Sequence, residues 1–249
     1  RIGPNRVGFM GLLQSIADGI KLLGKEDIIP KGADRFFFRL SPAFVFAGAF
    51  VGFAALPFGP NHVAADLNIG VFFILAVGAL ETIGVIMAGW ASNNKFSLIA
   101  AVREAAQVVS YEIPLALFGM VAVVMYGSMS LMEISGQQDS FLKWGIVQSP
   151  VFGGIAAIGF YTAAVAACKR APFDLPEAES ELVAGYHTEY TGMRFGMFFF
   201  AEYAAMYLFS AMTVVLFFGG WNLCGLENIG RDIPLSCLNK VFGPMTANH

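Results

Sequence analysis

The sequence predicts an all-α, polytopic integral membrane protein, and three observations carry that expectation. Of its 249 residues, 57% are hydrophobic and only 13% charged, about half the charge of an ordinary soluble domain. Mean hydropathy is +0.65, and one water-soluble core of this size cannot bury so much apolar surface. The 28 glycines and 25 phenylalanines agree, because glycine is commoner in membrane helices than in soluble ones. A soluble enzyme, a disordered linker and a nucleic-acid-binding domain are excluded.

Five stretches approach the roughly 20 apolar residues that a bilayer crossing needs: 41–58, 69–90, 110–131, 146–168 and 195–220. Gly48, Gly52 and Pro57 punctuate the first. Glycines inside later ones (Gly78, Gly84, Gly153, Gly154, Gly159) allow helices to approach closely. The chain is therefore expected to be one membrane domain. A segment 1–40 precedes four crossings within 41–168, an acidic loop over 169–194, a fifth crossing and an opposite-side loop over 221–249.

Orientation follows from the basic residues. Of the 15 Lys and Arg, only Lys143, Arg231 and Lys240 lie outside 1–40, 91–109 and 169–194. Such a bias places those three stretches on the cytoplasmic side, or on the matrix or stromal side of an organelle. Ahead of the first crossing, Phe9, Leu12, Leu13, Ile16, Ile20 and Leu23 recur at helical spacing. Gln14, Asp18, Lys21 and Lys25 form a second stripe. This predicts an amphipathic helix in the membrane interface, with its polar stripe either facing water or roofing a cavity. The chain opens on Arg1 with no Met and no signal peptide, as expected of a piece of a longer protein.

The carboxylates carry the candidate chemistry. The 169–194 loop gathers Asp174, Glu177, Glu179, Glu181 and Glu189. A helix starting near Pro176 would use Asp174 and Glu177 as a capping box and set Asp174, Glu177 and Glu181 on one face. Two carboxylates are thus explained as helix chemistry, but not five, and like charges held close can pass a proton along. Glu81, Glu112 and Glu202 fall inside the predicted crossings, where an ionisable group is costly and a functional candidate by default. Glu112 is expected near the start of its crossing and Glu81 deeper. His187, in the acidic loop, is read as a surface residue titrating near neutrality at most.

Cys168, Cys224 and Cys237 are too few for a four-thiolate cluster, and no CxxC occurs. Cys224 and Cys237 share a loop and could pair if it faces an oxidising compartment. There is no P-loop, GxGxxG, HExxH or metal-ligand spacing, so no metal site is expected.

Three long blocks are specific. They are RIGPNRVGFMGLLQSIADGIKLLGKEDIIP, GWASNNKFSLIAAVREAAQVVSYEIPL and RAPFDLPEAESELVAGYHTEYTGMRFGMFF with AEY after it. In this order they resemble the family of the membrane-embedded H subunit (also called subunit 1) of proton-pumping NADH:quinone oxidoreductase, respiratory complex I. The resemblance runs from Arg1 to about Trp221. It implies an eight-helix fold, of which this chain would hold the second to sixth helices, in a bacterial inner membrane or an organellar one.

The implied role is the heel of the membrane arm, walling the chamber where quinone, the substrate, is reduced. The chain would be part of a proton-translocating enzyme without a complete active site of its own. Flavin, iron–sulfur clusters and NADH would sit on partner subunits. Those partners are the hydrophilic-arm quinone-site subunits and small adjacent membrane subunits, with membrane lipid around them and no nucleic acid.

By motif, the resemblance makes Glu112 a membrane carboxylate of the proton path and Asp174, Glu177, Glu179, Glu181 and Glu189 the acidic loop beside the quinone cavity. Arg6, Asp18, Lys21 and Lys25 match the cavity entrance, and Arg170 and Phe173 open the loop block beside it. Glu81 and Glu202 join the proton-relay candidates. Glu104 departs from the pattern, because many relatives carry a small residue there, and is expected to be local variation. Two other functions compete: a homologous membrane component of a hydrogenase or ferredoxin-linked complex, and a secondary ion transporter. The full-length acidic block argues for the quinone-linked branch, and no inverted repeat supports the transporter.

Overall fold

A computed structural model describes residues 6–59, 62–174 and 184–221. The described residues form an all-α bundle. An amphipathic helix α1 (Gln14–Gly24) precedes α2 (Arg35–Val51), which continues as a 3-10 turn to Ala55, then α3 (Gly70–Ala91) and α4 (Lys95–Tyr126). Two short helices, α5 (Leu131–Gln137) and α6 (Gly145–Gln148), lead to α7 (Phe152–Ala167), and α8 (Gly192–Phe217) ends the described chain. Four helical stretches are long and apolar enough to cross a membrane, Arg35–Ala55, α3, α4 and α8, and α7 is a shorter apolar helix.

Most crossings stand where hydropathy put them, but their limits differ for physical reasons. α4 begins at Lys95, not at residue 110, so the expected 91–109 loop shrinks to the turn 92–94. Asn94 caps the helix by accepting from the Phe96 N–H at 2.9 Å. Lys95, Arg103 and Glu104 made these turns look like loop. The helix stops at Tyr126, earlier than 131, because Gly127 takes the left-handed conformation (φ 67°) that terminates helices. α2 likewise starts earlier, at Arg35, with Asp34 as its cap. The fourth expected crossing, 146–168, divides: α6 stops before Pro150, and α7 has 16 residues. Sixteen residues rise only about 24 Å, less than the roughly 30 Å hydrocarbon core.

The helices meet through small residues. A Cβ on Gly48 would come within 2.8 Å of the Glu81 backbone nitrogen, so α2 and α3 touch backbone to backbone there. Facing the outside are Val124, Phe152 and Ile158, each about two-thirds or more exposed, as a lipid-facing surface requires.

Two apolar clusters make the core. One gathers Ile74, Leu115, Phe160 and Met212; the other gathers Phe38, Val85, Ala101, Tyr186 and Phe198. Along α3 and α4 the ionisable residues Glu81 and Glu104 fall between residues of the two clusters, and Glu202 on α8 lies at the edge of the second cluster, between Ala201 and Ala204 and ahead of Leu208 of the first. The site therefore occupies the seam of the core.

A buried ionic site at membrane depth

The end of the bundle that carries Asp34, Ala91 and Asn94 is closed by the far end of the acidic loop. The Ser97 hydroxyl donates to the Tyr186 carbonyl at 2.6 Å, and Asn94 donates to Glu189 at 2.7 Å. The Ser41 and Tyr190 hydroxyls lie 2.8 Å apart, and the Tyr190 ring stacks on Phe38 at 4.0 Å. Burial pushes the Tyr190 phenol up to about 12, so it stays a neutral hydrogen-bonding plug. Burial, together with the Lys169 charge, pushes His187 down to about 4. Its ring packs edge-on against Tyr186 and against Phe195. His187 is thus a half-buried neutral imidazole, not a surface group titrating near neutrality.

Beneath this plug, α7 ends short and the chain turns inside the bundle. The Gln107 amide donates both to the Ala166 carbonyl at 2.9 Å and to the Phe173 carbonyl at 2.8 Å, tying the helix end to the start of the loop. Lys169, at that turn, has a left-handed backbone (φ 56°). A non-glycine residue holds such a conformation only where its surroundings fix it. Its ammonium is buried and ion-paired with Glu104, and it donates to Glu81 at 3.3 Å. Glu81 lies ten residues before the end of α3, so this cluster sits about 15 Å below the plugged end. A cavity of about 30 Å³ adjoins it, lined among others by Glu81, Thr82, Glu104, Glu112 and Lys169. That is room for about one water.

Beside the cluster, Arg170 pairs with Glu202 at 2.9 Å, and its guanidinium lies over the Tyr203 ring at 5.1 Å. Phe195, Phe199 and Tyr203 follow at intervals of four on one face of α8, with ring centroids 5.2 and 5.9 Å apart. This aromatic ladder starts where α1 docks. A Cβ on Gly196 would meet Leu22 at 3.3 Å, and one on Gly192 would meet the Lys25 carbonyl at 3.0 Å. Thr191 accepts from the Ile28 N–H at 3.1 Å, and Arg194 pairs with Asp27 at 2.8 Å. α1 thus lies at the head of a ladder whose foot is Arg170.

The expected residues divide accordingly. Glu81, Glu112, Glu202 and Arg170 are brought together. Phe173 is half-buried, with its ring 5.3 Å from Tyr111, and Asp174 beside it is exposed. Glu189 belongs to the plug. Asp18 sits on the exposed stripe of α1, where Lys21 at 3.2 Å and Gln14 hold its carboxyl below the usual range. Lys25 caps that helix, and Arg6 is exposed ahead of it. Glu177, Glu179 and Glu181, and Cys224 and Cys237, lie outside the described residues.

Glu112 is corrected from near a helix start to the middle of α4, and Glu104 from local variation to a member of the cluster. Lys169 is expected only as one of the basic residues of the cytoplasmic-side 169–194 loop, and it lies buried inside the bundle instead. The available signal was a lysine directly after an apolar run, which at membrane depth demands a carboxylate partner.

Long apolar helices around a core seam of ionisable residues define a membrane protein built to hold charge inside the bilayer. Comparison narrows the class: a family model described as NADH dehydrogenase matches residues 1–245, and the chain belongs to that family. It is similar to the second of the H subunits of NADH-quinone oxidoreductase in Cytophaga hutchinsonii, at 47% identity over 92% of this chain and 70% of that protein. It is similar also to the NADH-quinone oxidoreductase H subunits of Brevibacillus brevis (52%, covering 89% of this chain and 64% of that one) and Anaeromyxobacter dehalogenans (50%, covering 90% and 54%). The chain thus spans between about half and 70% of the length of these relatives.

Proposed function

We propose that this chain is a quinone-chamber membrane subunit that couples quinone reduction to proton transfer, within an assembly whose other subunits hold the electron donor site, the flavin and the iron–sulfur clusters. The observation that carries the reading is the ionic cluster of Glu81, Glu104 and Lys169 beside a water-sized cavity shared with Glu112. Burying such groups is expensive, and membrane proteins keep them where ions or protons move. The NADH-quinone oxidoreductase relatives supply the redox context.

In this reading quinone enters beneath α1, between Arg6, Asp18, Lys21 and Lys25. Its apolar body lies along Phe195, Phe199 and Tyr203, and Arg170 and Phe173 face its deep end. Reduction brings negative charge to the chamber, where low dielectric makes it act strongly. The acidic loop (Asp174, Glu177, Glu179, Glu181, Glu189) and the membrane carboxylates Glu81, Glu112 and Glu202 answer by moving protons. The basic-residue bias sets the plugged end on the cytoplasmic side.

The test uses the full-length chain in its assembled complex. Asp18→Ala and Tyr203→Ala should raise the apparent quinone KM and leave reduction of a flavin-level acceptor normal. Glu112→Gln should keep assembly and lose proton uptake into vesicles, and Glu112→Asp should retain part. Unchanged quinone kinetics and wild-type uptake in these variants would overturn the reading.

A further inference from the structure

The cavity sets a charge-counting problem. Three carboxylates, Glu81, Glu104 and Glu112, line it with one cation among the lining residues, Lys169. The adjoining Arg170 is engaged by Glu202 at 2.9 Å, so that pair contributes no net charge. One ammonium facing three ionised carboxylates would leave uncompensated negative charge in a medium that sustains it poorly. Lys169 is the one cation among the residues lining the cavity, and it touches two of the three carboxylates, Glu81 and Glu104.

The left-handed backbone of Lys169 aims the side chain between α3 and α4, where it touches Glu104 and Glu81 together. The two carboxylates differ: Glu104 is fully buried, whereas the Glu81 side chain is 15% exposed and its helix is fixed by the backbone contact with Gly48.

We propose that Lys169 and Glu104 form a positioning pair for the proton relay, with the Lys169 ammonium anchored on Glu104 and shared with Glu81, so that its approach to Glu81 sets whether that carboxyl holds a proton. The inference rests on the quinone-coupled reading above. When the ammonium draws close to Glu81, the carboxyl O–H breaks and the proton passes through the cavity to an ionised Glu112, where a new O–H forms. When it withdraws, the proton returns to Glu81 by the same path or from the loop side. Each transfer breaks one O–H bond and makes one, and no electron moves.

The test again uses the assembled complex with the full-length chain. The double variant Glu104→Gln with Lys169→Gln removes one negative and one positive charge and keeps both side chains polar. We expect it to assemble and reduce quinone while proton uptake per quinone reduced is lost. Lys169→Arg, which preserves the cation, should keep part of the uptake. A double variant with wild-type uptake per quinone would overturn the proposal and leave the pair purely structural.

An infrared difference spectrum taken on quinone reduction gives a second readout that needs no change at Lys169. A protonated-carboxyl band should change in the wild type, diminish in Glu81→Gln and persist in Glu133→Gln, whose carboxylate lies at the other end of the bundle. A band insensitive to Glu81→Gln would contradict the proposal. Glu112→Gln separates the two failures. Wild-type uptake there sinks the quinone-coupled reading itself, whereas lost uptake there with normal uptake in the double variant sinks only the role of Lys169.

Discussion

At the α5 end of the bundle Gln138 is fully buried, and its amide is saturated by backbone. Its Oε1 accepts from the Gly219 N–H at 2.9 Å and the Gly145 N–H at 3.4 Å, and its Nε2 donates to the Val215 carbonyl at 2.8 Å and the Ile134 carbonyl at 3.3 Å. Toward the opposite end Lys169 is just as buried, yet its partners are side-chain carboxylates of other helices and a water-sized space adjoins them. Both centres tie together segments far apart in sequence. The amide hub satisfies chain ends that would otherwise strand backbone groups. The ionic hub satisfies nothing that a simpler apolar core would have needed, because buried ion pairs are seldom worth their desolvation cost. Polar burial alone therefore does not distinguish the two centres; buried charge beside open space does.

The comparison is broken most forcefully at Lys169. Lys169→Met removes the cation and leaves Glu81 and Glu104 facing each other, and breaking a buried pair typically costs about 3–5 kcal/mol. Native gels should show markedly less assembled complex, and adding Glu104→Gln should recover much of it. Full assembly of Lys169→Met on its own would show that the ion pair compensates nothing.

Gln138→Leu should cost stability by a different route, because two N–H groups lose their acceptor, at about 1–3 kcal/mol each. Thermal melts of the assembled complex should show a lower Tm with unchanged proton uptake per quinone in the complexes that survive. An altered uptake ratio would mean that the amide hub is not merely architectural.

These two centres also show how far the sequence could be read. Hydropathy located the four long apolar helices among the described residues and, less exactly, the shorter α7, since an apolar run leaves a local signal. α1 was legible from its periodicity instead: Ile16, Ile20 and Leu23 fall together on an exposed apolar face of the helix. The start of α4 was not, because Arg103 and Glu104 look like loop residues unless it is known that Lys169, 65 positions away from Glu104, neutralises the acid. The same pairing hid Lys169, whose charge seemed to end a crossing but in fact lies inside the bundle. Gln138 gave no signal either, since its four partners come from three separate segments. Periodicity reports which face a residue takes; it does not report which distant residue completes it.

A smaller effect concerns the plug. The folded protein holds His187 down to about 4, through burial and then the Lys169 charge, against an ordinary value of 6.5. Between those values the unfolded chain binds the extra proton and the folded one does not. Stability should therefore fall as pH drops from about 6.5 to about 4 and level off below. The Tm of the assembled complex should follow that slope, and His187→Gln should flatten its share of it. An identical slope in the variant would assign the pH dependence to other groups.

The central claim is that the ionic hub moves protons while the amide hub only holds the chain. Proton uptake per quinone reduced, measured side by side on assembled complexes carrying Glu112→Gln or Gln138→Leu, tests it most directly. The account predicts that the ratio collapses in Glu112→Gln and stays at the wild-type value in Gln138→Leu. A wild-type ratio in Glu112→Gln, or an equal loss in both, would contradict it.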